Sequence, residues 1–214
     1  SSVAAIFETT VLKQYYDESD WSDPDKKTIN HYAKSKTLAE MAAWNFIKEE
    51  DEPFKLAVIN PALVIGPSLS GDLGESNKAI EMVVTGRMPF SVPLQFGYVD
   101  VRDVAAAHIL AMQNPESNGK RFALSEKDLW YKDVAKLLRA NGYKKAPKIN
   151  IPAWMTPVLA KFNEELKFSL PFIGRVRSVK YATNAKDILG WSPRPAEESI
   201  LEVAKQIQDL NGAK

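Results

Sequence analysis

Apolar residues cluster along this chain in blocks that have either helical or strand character. From Leu38 to Ile47 they recur three and four positions apart, which predicts an amphipathic helix over residues 32–50. The next block, Phe54–Asn60, is almost continuously apolar and predicts a strand buried on both faces of a parallel sheet. Val3–Phe7 is also short and apolar and is interpreted as the end of a buried strand. Strand, helix and strand in this order predict a βαβ unit.

The remaining blocks predict shorter elements joined by polar segments. Further helices are expected at Asn77–Gly86, Asp103–Met112, Tyr131–Ala140, Trp154–Phe168, Ala185–Leu189 and Glu197–Leu210. Further strands are expected at Tyr98–Val101 and Arg121–Leu124. Loops are expected by composition over residues 8–28, 68–77, 88–97 and 170–174.

Composition narrows the classes of function. The 214 residues are 45% hydrophobic and 26% charged, with a formal net charge of +1, which is typical of a soluble globular protein and sufficient for one large domain or a domain with a lobe. A net charge this small does not indicate binding to nucleic acid or to a membrane surface. No apolar run approaches the roughly 20 residues that a membrane span requires. There is no cysteine, hence no disulfide or thiolate chemistry. The first residues lack the features of a signal peptide, and a cytoplasmic location is expected.

Candidate chemistry lies at the start of the predicted helix over residues 32–50. Tyr32 and Lys36 are four positions apart and therefore share one helix face. An ammonium beside a phenol stabilises the phenolate, so the pair can donate and recover a proton. The alternative is an ordinary surface pair, which this spacing also produces.

Four local patterns follow one another in a characteristic order. They are Ser1-Ser2 at a strand end, Tyr32-x-x-x-Lys36, Asn60-Pro61 through Gly66-Pro67, and Tyr98–Ala105. This order resembles the extended short-chain dehydrogenase/reductase family. The segments Tyr16–Asp23 and Ser35–Trp44 are similar to the branch that contains dihydroflavonol reductases, cinnamoyl-CoA reductases and bacterial aldehyde or ketone reductases.

The resemblance implies a role for each residue of the site. Tyr32 would be the proton donor, Lys36 would hold the ribose of the nicotinamide nucleotide and support Tyr32, and Ser2 would bind the substrate oxygen. The segment formed by Pro61, Ala62, Leu63 and Val64 would pass under the nicotinamide. Alternatives are an ordinary strand-end hydroxyl for Ser2 and a turn without a ligand for Pro61–Val64.

The glycine-rich dinucleotide turn of this family is not found in the sequence. Gly66, Gly71 and Gly74 lack its spacing and follow the wrong strand. The fold class expected is therefore α/β: the C-terminal half of a Rossmann-like, doubly wound parallel sheet plus a smaller mixed α/β substrate lobe, without the N-terminal nucleotide-binding half. The predicted division is 1–67 and 98–120 for the Rossmann-like part, with 68–97 and 121–214 mainly in the substrate lobe.

The function implied by the resemblance is NAD(P)H-dependent reduction of an aldehyde or ketone, with NADP(H) expected over NAD(H). Expected partners are a small-molecule carbonyl substrate, the missing N-terminal half and a second copy in a homodimer, but neither nucleic acid nor a membrane. One alternative is a sugar-nucleotide epimerase or dehydratase that uses the same Ser/Tyr/Lys set. The other is a non-catalytic binding or sensor protein with this fold.

Other chemistry-bearing residues receive structural interpretations. His31 and His108 are assigned structural or solvent-facing roles, and two isolated histidines do not predict a metal site. Asp100, Arg102 and Asp103 are expected to fix a strand end and cap the following helix. Core packing is favoured over a substrate pocket for four aromatic residues, Trp154, Phe162, Phe168 and Phe172.

Overall fold

The computed structural model describes residues 1–11, 13–51, 54–161, 166–167, 170–179 and 183–212. The chain divides into two compact units, each formed by three separate stretches. The first unit contains Ser1–Leu63, Val99–Glu126 and Arg177–Pro193. The second unit contains Val64–Tyr98, Lys127–Val176 and Arg194–Lys214.

Helices and short strands alternate along the described residues. The helices are α1 (Ala4–Phe7), α2 (His31–Glu49), α3 (Gly74–Thr85), α4 (Val101–Gln113), α5 (Tyr131–Ala140), α6 (Thr156–Leu159), α7 (Thr183–Asp187) and α8 (Ala196–Gly212). The strands are β1 (Tyr15–Tyr16), β2 (Ala57–Pro61), β3 (Leu63–Ile65), β4 (Phe90–Ser91), β5 (Gln95–Asp100), β6 (Lys120–Leu124), β7 (Lys127–Trp130), β8 (Ile149–Asn150) and β9 (Ser178–Val179). Among these helices, none has the length and apolar character that a bilayer crossing requires.

The first unit is built on a parallel pair of strands. β2 and β6 run side by side in a register that places Ala57 opposite Lys120 and Pro61 opposite Leu124. The consecutive residues Val58 and Ile59 point to opposite faces, and both are buried. The prediction of a strand covered on both faces is therefore confirmed. The helix predicted over residues 32–50 is confirmed as α2.

The two outer edges of this strand pair differ. On the β6 side, the Asn184 amide donates to the Arg121 carbonyl (2.8 Å), and the Glu18 carboxylate accepts from the Ala123 N–H (3.3 Å). On the β2 side, no described strand pairs with β2. The backbone groups of successive residues in a strand point to opposite sides. The Ala62 N–H points to β6, where it bonds to Leu124, so the backbone groups of Ala57 and Ile59 point to the other, open edge.

The segment before α2 differs from the prediction. Val3–Phe7 was expected to be a strand, but Ala4–Phe7 forms one helical turn with Ala5 and Ile6 buried. The Ser2 hydroxyl accepts from the Ala4 N–H (3.2 Å), a local side-chain bond to the backbone that competes with a strand at this point. A run of five apolar residues has no period that separates strand from helix. The first strand of the predicted βαβ unit is thus absent from the described residues.

The second unit combines a small sheet with helices. β5 lies between β3 and β7 and pairs antiparallel with β7 over Gln95–Tyr98. Helices α3 and α5 both pack against α8, and their shared core contains fully buried side chains. These are Ile80, Val83, Val134, Leu138, Ile200 and Ile207. The prediction of a helix at Tyr131–Ala140 is confirmed by α5.

Two predicted segments of this unit are corrected. Trp154–Phe168 was expected to be one helix, but Ala153–Met155 is a 3-10 turn followed by the four residues of α6. Pro157 lies in the first turn of α6, where proline starts a helix rather than continuing one. The rest of that predicted helix falls partly on 162–165 and 168, outside the described residues. The loop predicted over 68–77 is fixed to α8, because Ser68 and Gln206 exchange two hydrogen bonds (2.8 and 2.7 Å) and α3 already begins at Gly74.

Candidate active site

The start of α2 presents the tyrosine and lysine that the sequence singled out. The Asn30 side chain accepts a hydrogen bond from the Ala33 N–H (2.8 Å) and caps the helix. Tyr32 in the first turn is 59% exposed. The Lys36 ammonium lies 5.7 Å from the centre of the Tyr32 ring. The predicted proximity of the two side chains is confirmed.

Ser1 and Ser2 lie where α2 and β2 come together. The Ser2 hydroxyl is 3.5 Å from the Pro61 carbonyl, which also accepts from the Val3 N–H (3.1 Å). The Ser1 hydroxyl donates to the Glu40 carboxylate (2.5 Å), and Glu40 belongs to α2. Ser2 is therefore tied to β2 directly and to α2 through its neighbour.

The segment predicted to lie under a nicotinamide has part of its backbone already bonded. The Ala62 N–H donates to the Leu124 carbonyl (2.8 Å), which continues the β2–β6 pairing by one residue. Ala62 also packs against a buried cluster that includes Val3 and Tyr16. Leu63 and Val64 begin β3 and are half-buried. The assignment of Pro61–Val64 to the cofactor remains a prediction.

Sequence reasoning gave no role to the residue that connects these pieces, Glu40. It is buried, and its carboxylate accepts from Arg121 Nε (2.6 Å), Asn60 Nδ2 (2.8 Å) and the Ser1 hydroxyl. Burial alone would raise the pKa of Glu40, but the hydrogen bonds from Arg121, Ser1 and Asn60 outweigh it and hold the pKa below its ordinary value. Glu40 is therefore charged at neutral pH.

Arg121 occupies the centre of this charged cluster. Its guanidinium donates to the backbone carbonyls of Glu18 (2.9 Å) and Asp20 (2.5 Å), besides Glu40. It also lies 3.9 Å from the centre of the Trp21 ring, within the range of a cation–π interaction. The Tyr16–Asp23 segment, which contains these partners, stood out in the sequence through its resemblance to known reductases. Nothing in that segment indicated that Arg121 would bind to it.

Asp100 and Arg102 have the structural role that was expected of them at the end of β5 and the start of α4. The Asp100 carboxylate accepts from the Arg102 N–H (2.8 Å), which starts α4, and pairs with the Arg102 guanidinium (2.8 Å). His31 and His108 are both exposed, and His108 Nδ1 contacts the Val104 carbonyl (2.8 Å). Within the described residues, no three histidine, cysteine or acidic side chains are grouped as a metal site would require.

The aromatic residues assigned to the core do not behave alike. Trp154 is 75% exposed, so the prediction that it packs in the core is wrong. Its 3-10 turn does not continue as the amphipathic helix on which that prediction depended. Phe172 is half-buried, while Phe162 and Phe168 lie outside the described residues.

The first unit has the features of a Rossmann-like protein. It combines a buried pair of parallel strands with flanking helices, and one helix carries an exposed Tyr-x-x-x-Lys pair. The chain belongs to the NAD dependent epimerase/dehydratase family, whose model matches residues 9–124. It is 34% identical to cinnamoyl-CoA reductase 1 of Petunia hybrida, over 98% of this chain and 58% of that protein. It is 30% identical to the NADPH-dependent methylglyoxal reductase GRE2 of Saccharomyces cerevisiae, over 99% of this chain and 63% of that protein.

Solved structures show the same relationship. The crystal structure of yeast methylglyoxal/isovaleraldehyde reductase Gre2 complexed with NADPH superimposes with a TM-score of 0.74 and 25% identity. The superposition covers 100% of this chain and 64% of the yeast chain. The Rossmann-like fold and the predicted family are confirmed, and the chain spans about three fifths of the length of these relatives.

Proposed function

We propose that this chain carries the catalytic helix and the substrate lobe of an NADP(H)-dependent reductase that acts on small aldehydes or ketones. The observation that carries the proposal is the pair of Tyr32 and Lys36 at the start of α2. Lys36 makes no ion pair with any described residue, so its positive charge is available to the phenolate and to hydroxyl groups of a bound ligand. An exposed phenol beside such a charge fits a proton donor that faces a ligand.

Each site residue has a proposed part in the reaction. The Tyr32 hydroxyl gives its proton to the carbonyl oxygen of the substrate, and Lys36 stabilises the phenolate that remains. The Ser2 hydroxyl donates a hydrogen bond to the same oxygen, where negative charge develops. Its present contact with the Pro61 carbonyl, at 3.5 Å, is at the limit of a hydrogen bond and is readily exchanged.

The cofactor that fits this site is a nicotinamide nucleotide. Lys36 would hold its ribose hydroxyls, and Pro61, Ala62, Leu63 and Val64 would lie beneath the ring. When bound, it supplies a hydride to the carbonyl carbon. The relatives named above include an NADPH-dependent methylglyoxal reductase and a reductase complexed with NADPH, which supports NADP(H) and a carbonyl substrate. We extend the proposal to a homodimer formed through a bundle that includes α2.

The nucleotide-binding part of the enzyme is proposed to be a further half that completes the sheet at the open edge of β2. No strand in the described part of the chain pairs with β2 along the backbone groups of Ala57 and Ile59, which leaves room for a further strand there, and Val3 already bonds to Pro61 at the end of this edge. This chain alone should therefore not bind NADPH tightly. Calorimetric titration tests this, and micromolar binding by residues 1–214 alone would contradict it.

The test of the reaction is the substitution Tyr32→Phe in the polypeptide that carries both halves. We expect kcat for NADPH-dependent aldehyde reduction to fall by about a hundredfold to ten-thousandfold, the usual contribution of a positioned proton donor. The matched control is Tyr15→Phe, since Tyr15 is also exposed (55%, against 59% for Tyr32) and lies in the same unit. The assay follows the nicotinamide absorbance with a panel of aldehydes and ketones.

The alternatives give different results in the same experiment. Unchanged turnover in Tyr32→Phe would show that Tyr32 is not the proton donor. Interconversion of UDP- or dTDP-sugars without net consumption of NADPH would favour an epimerase. Absence of turnover with every substrate, despite NADPH binding, would favour a non-catalytic binding or sensor protein.

A further inference from the structure

Glu40 lies on the same side of α2 as the proposed proton donor. It follows Lys36 by one helical turn and Tyr32 by two. The N-terminal end of this helix face therefore presents the exposed Tyr32, and the other end places the Glu40 carboxylate in the interior. That carboxylate has three strong partners: Ser1, Asn60 and Arg121, at 2.5, 2.8 and 2.6 Å. The Trp44 indole N–H adds a fourth, longer contact (3.3 Å).

The three strong partners belong to three different segments of the site. Ser1 precedes Ser2, and Asn60 precedes Pro61. Asn60 donates a second hydrogen bond to the Ser2 carbonyl (3.1 Å), so Ser2 and β2 are fixed to each other as well as to α2. Arg121 is on β6, the strand paired with β2. A single carboxylate therefore connects α2 with every other segment that supplies a proposed catalytic residue.

We propose that Glu40 is a positioning residue, which holds α2 so that Tyr32 and Lys36 face the hydroxyl of Ser2; this rests on the proposed function. An apolar side chain at this position would hold the helix against the sheet with little directional preference. Charged hydrogen bonds depend on distance and angle, and the three made by Glu40 fix the rotation and the height of the helix. Misplacement by about 1 Å can cost an enzyme a hundredfold in rate.

The chain offers a matched control in Glu8. Glu8 is buried to the same extent as Glu40, 4% exposed, and lies in the same unit. Its carboxylate pairs with Lys26 (3.0 Å) and Arg177 (2.5 Å), neither of which is part of α2 or of the proposed site. Glu8→Gln thus removes a buried, doubly paired carboxylate without altering the connection between α2 and the strand ends.

The first experiment measures kcat and KM in the polypeptide that carries both halves, under conditions where circular dichroism shows every variant to be folded. We expect Glu40→Gln and Glu40→Asp to lower kcat about ten- to a hundredfold with little change in the KM for the aldehyde. The reason is that neither side chain can make all three hydrogen bonds of Glu40, so Tyr32 and Lys36 are no longer held in position. Glu8→Gln should stay within about twofold of the unmodified enzyme by the same reasoning. Full activity of Glu40→Asp and Glu40→Gln would overturn the proposal.

A double variant separates positioning from stability. In Glu40→Met/Arg121→Met both charges are removed together, and replacing a buried ion pair by apolar groups is often neutral for folding. We expect the urea midpoint to recover relative to Arg121→Met alone, while kcat stays low because Ser1 and Asn60 have lost their acceptor. Recovery of kcat together with the midpoint would show that Glu40 only stabilises the fold.

The second experiment needs no catalysis and uses residues 1–214 alone. Hydrogen–deuterium exchange should become faster in Glu40→Gln at the first two turns of α2 and over residues 57–62, but not in Glu8→Gln. Equal exchange in the two variants would contradict the positioning role. Absence of turnover in the unmodified polypeptide would instead refute the proposed function, and the exchange result would still decide whether Glu40 fixes these segments.

Discussion

The interiors of the two units differ in the kind of polar group that they bury. The first unit buries charged side chains, namely Glu8, Glu18, Asp20, Glu40, Asp100, Asp103 and Arg121. In its described residues, the second unit buries smaller neutral groups such as Asn77, Ser91, Thr156 and Ser199. Charged groups need directed partners when they leave water, whereas apolar packing has no such requirement. The unit that carries Tyr32 and Lys36 therefore adds directed bonds between charged groups to its apolar core, whereas the described interior of the other unit depends mainly on apolar packing.

The largest effect on folding is expected for Arg121→Met in the first unit. It leaves the Glu40 carboxylate buried without its cation and removes the bonds to the Glu18 and Asp20 carbonyls. Removing one partner of a buried ion pair costs about 3–5 kcal/mol of the free energy of unfolding. Urea unfolding followed by circular dichroism measures this. The control is Arg87→Met, because the Arg87 side chain is 68% exposed and lies 3.9 Å from Glu81. A similar loss of unfolding free energy in Arg121→Met and Arg87→Met would show that the buried pair is no more important than an exposed one.

In the second unit the corresponding change is Leu138→Ala. Leu138 is fully buried on α5, and its truncation removes apolar contacts and leaves a cavity, which costs about 3 kcal/mol. Since no charge is involved, this loss should be the same at pH 5 and pH 7. A loss that changes with pH, measured in the same urea titration, would mean that charged groups also stabilise this core.

This contrast explains which features were predictable from the sequence. The pattern of α5 is complete within one segment: Tyr131, Val134 and Leu138 share one face, and Gly142, with φ of 93°, ends the turn that follows. Tyr32 and Lys36 were recognisable for the same reason, because four residues of helix determine their proximity. The periodicity of the sequence is therefore sufficient to predict that two residues lie close together when both belong to the same helix or strand.

Features that depend on distant partners were missed. Glu40 and Arg121 are 81 positions apart, and no pattern in one sequence pairs them. The turn at Ala4–Phe7 differs from the predicted strand because a short apolar run has no distinguishing period, and because Val3 bonds to Pro61, which is distant in the sequence. Trp154 was placed in the core because its predicted helix was too long. The contacts of Glu40 with Arg121 and of Val3 with Pro61 form only when the chain folds, whereas the error at Trp154 is local, because Pro157 starts a new, short helix.

A smaller effect is expected from the titration of Glu40. Its pKa in the folded protein lies below the ordinary value of 4.5, so the charged form contributes stability above that pH and loses it as pH falls through the folded pKa. The free energy of unfolding should therefore fall more steeply on acidification in the unmodified protein than in Glu40→Gln. Urea titrations from pH 7 down to pH 3 test the sign. Parallel curves for the two proteins would show that Glu40 is not the group responsible.

The smallest effect is expected for an exposed ion pair of the second unit. Glu197 accepts from Lys127 (2.5 Å) at the start of α8, and this bond lowers the pKa of Glu197, but the two side chains are 33% and 46% exposed. Solvent screens such pairs, so Glu197→Gln should cost less than about 1 kcal/mol. The loss should vanish in about 1 M salt, where charges are screened over roughly 3 Å. Glu198→Gln, an exposed residue of the same helical turn, controls for the helix dipole. A loss for Glu197→Gln that persists in salt would mean that this pair acts like the buried charges of the first unit.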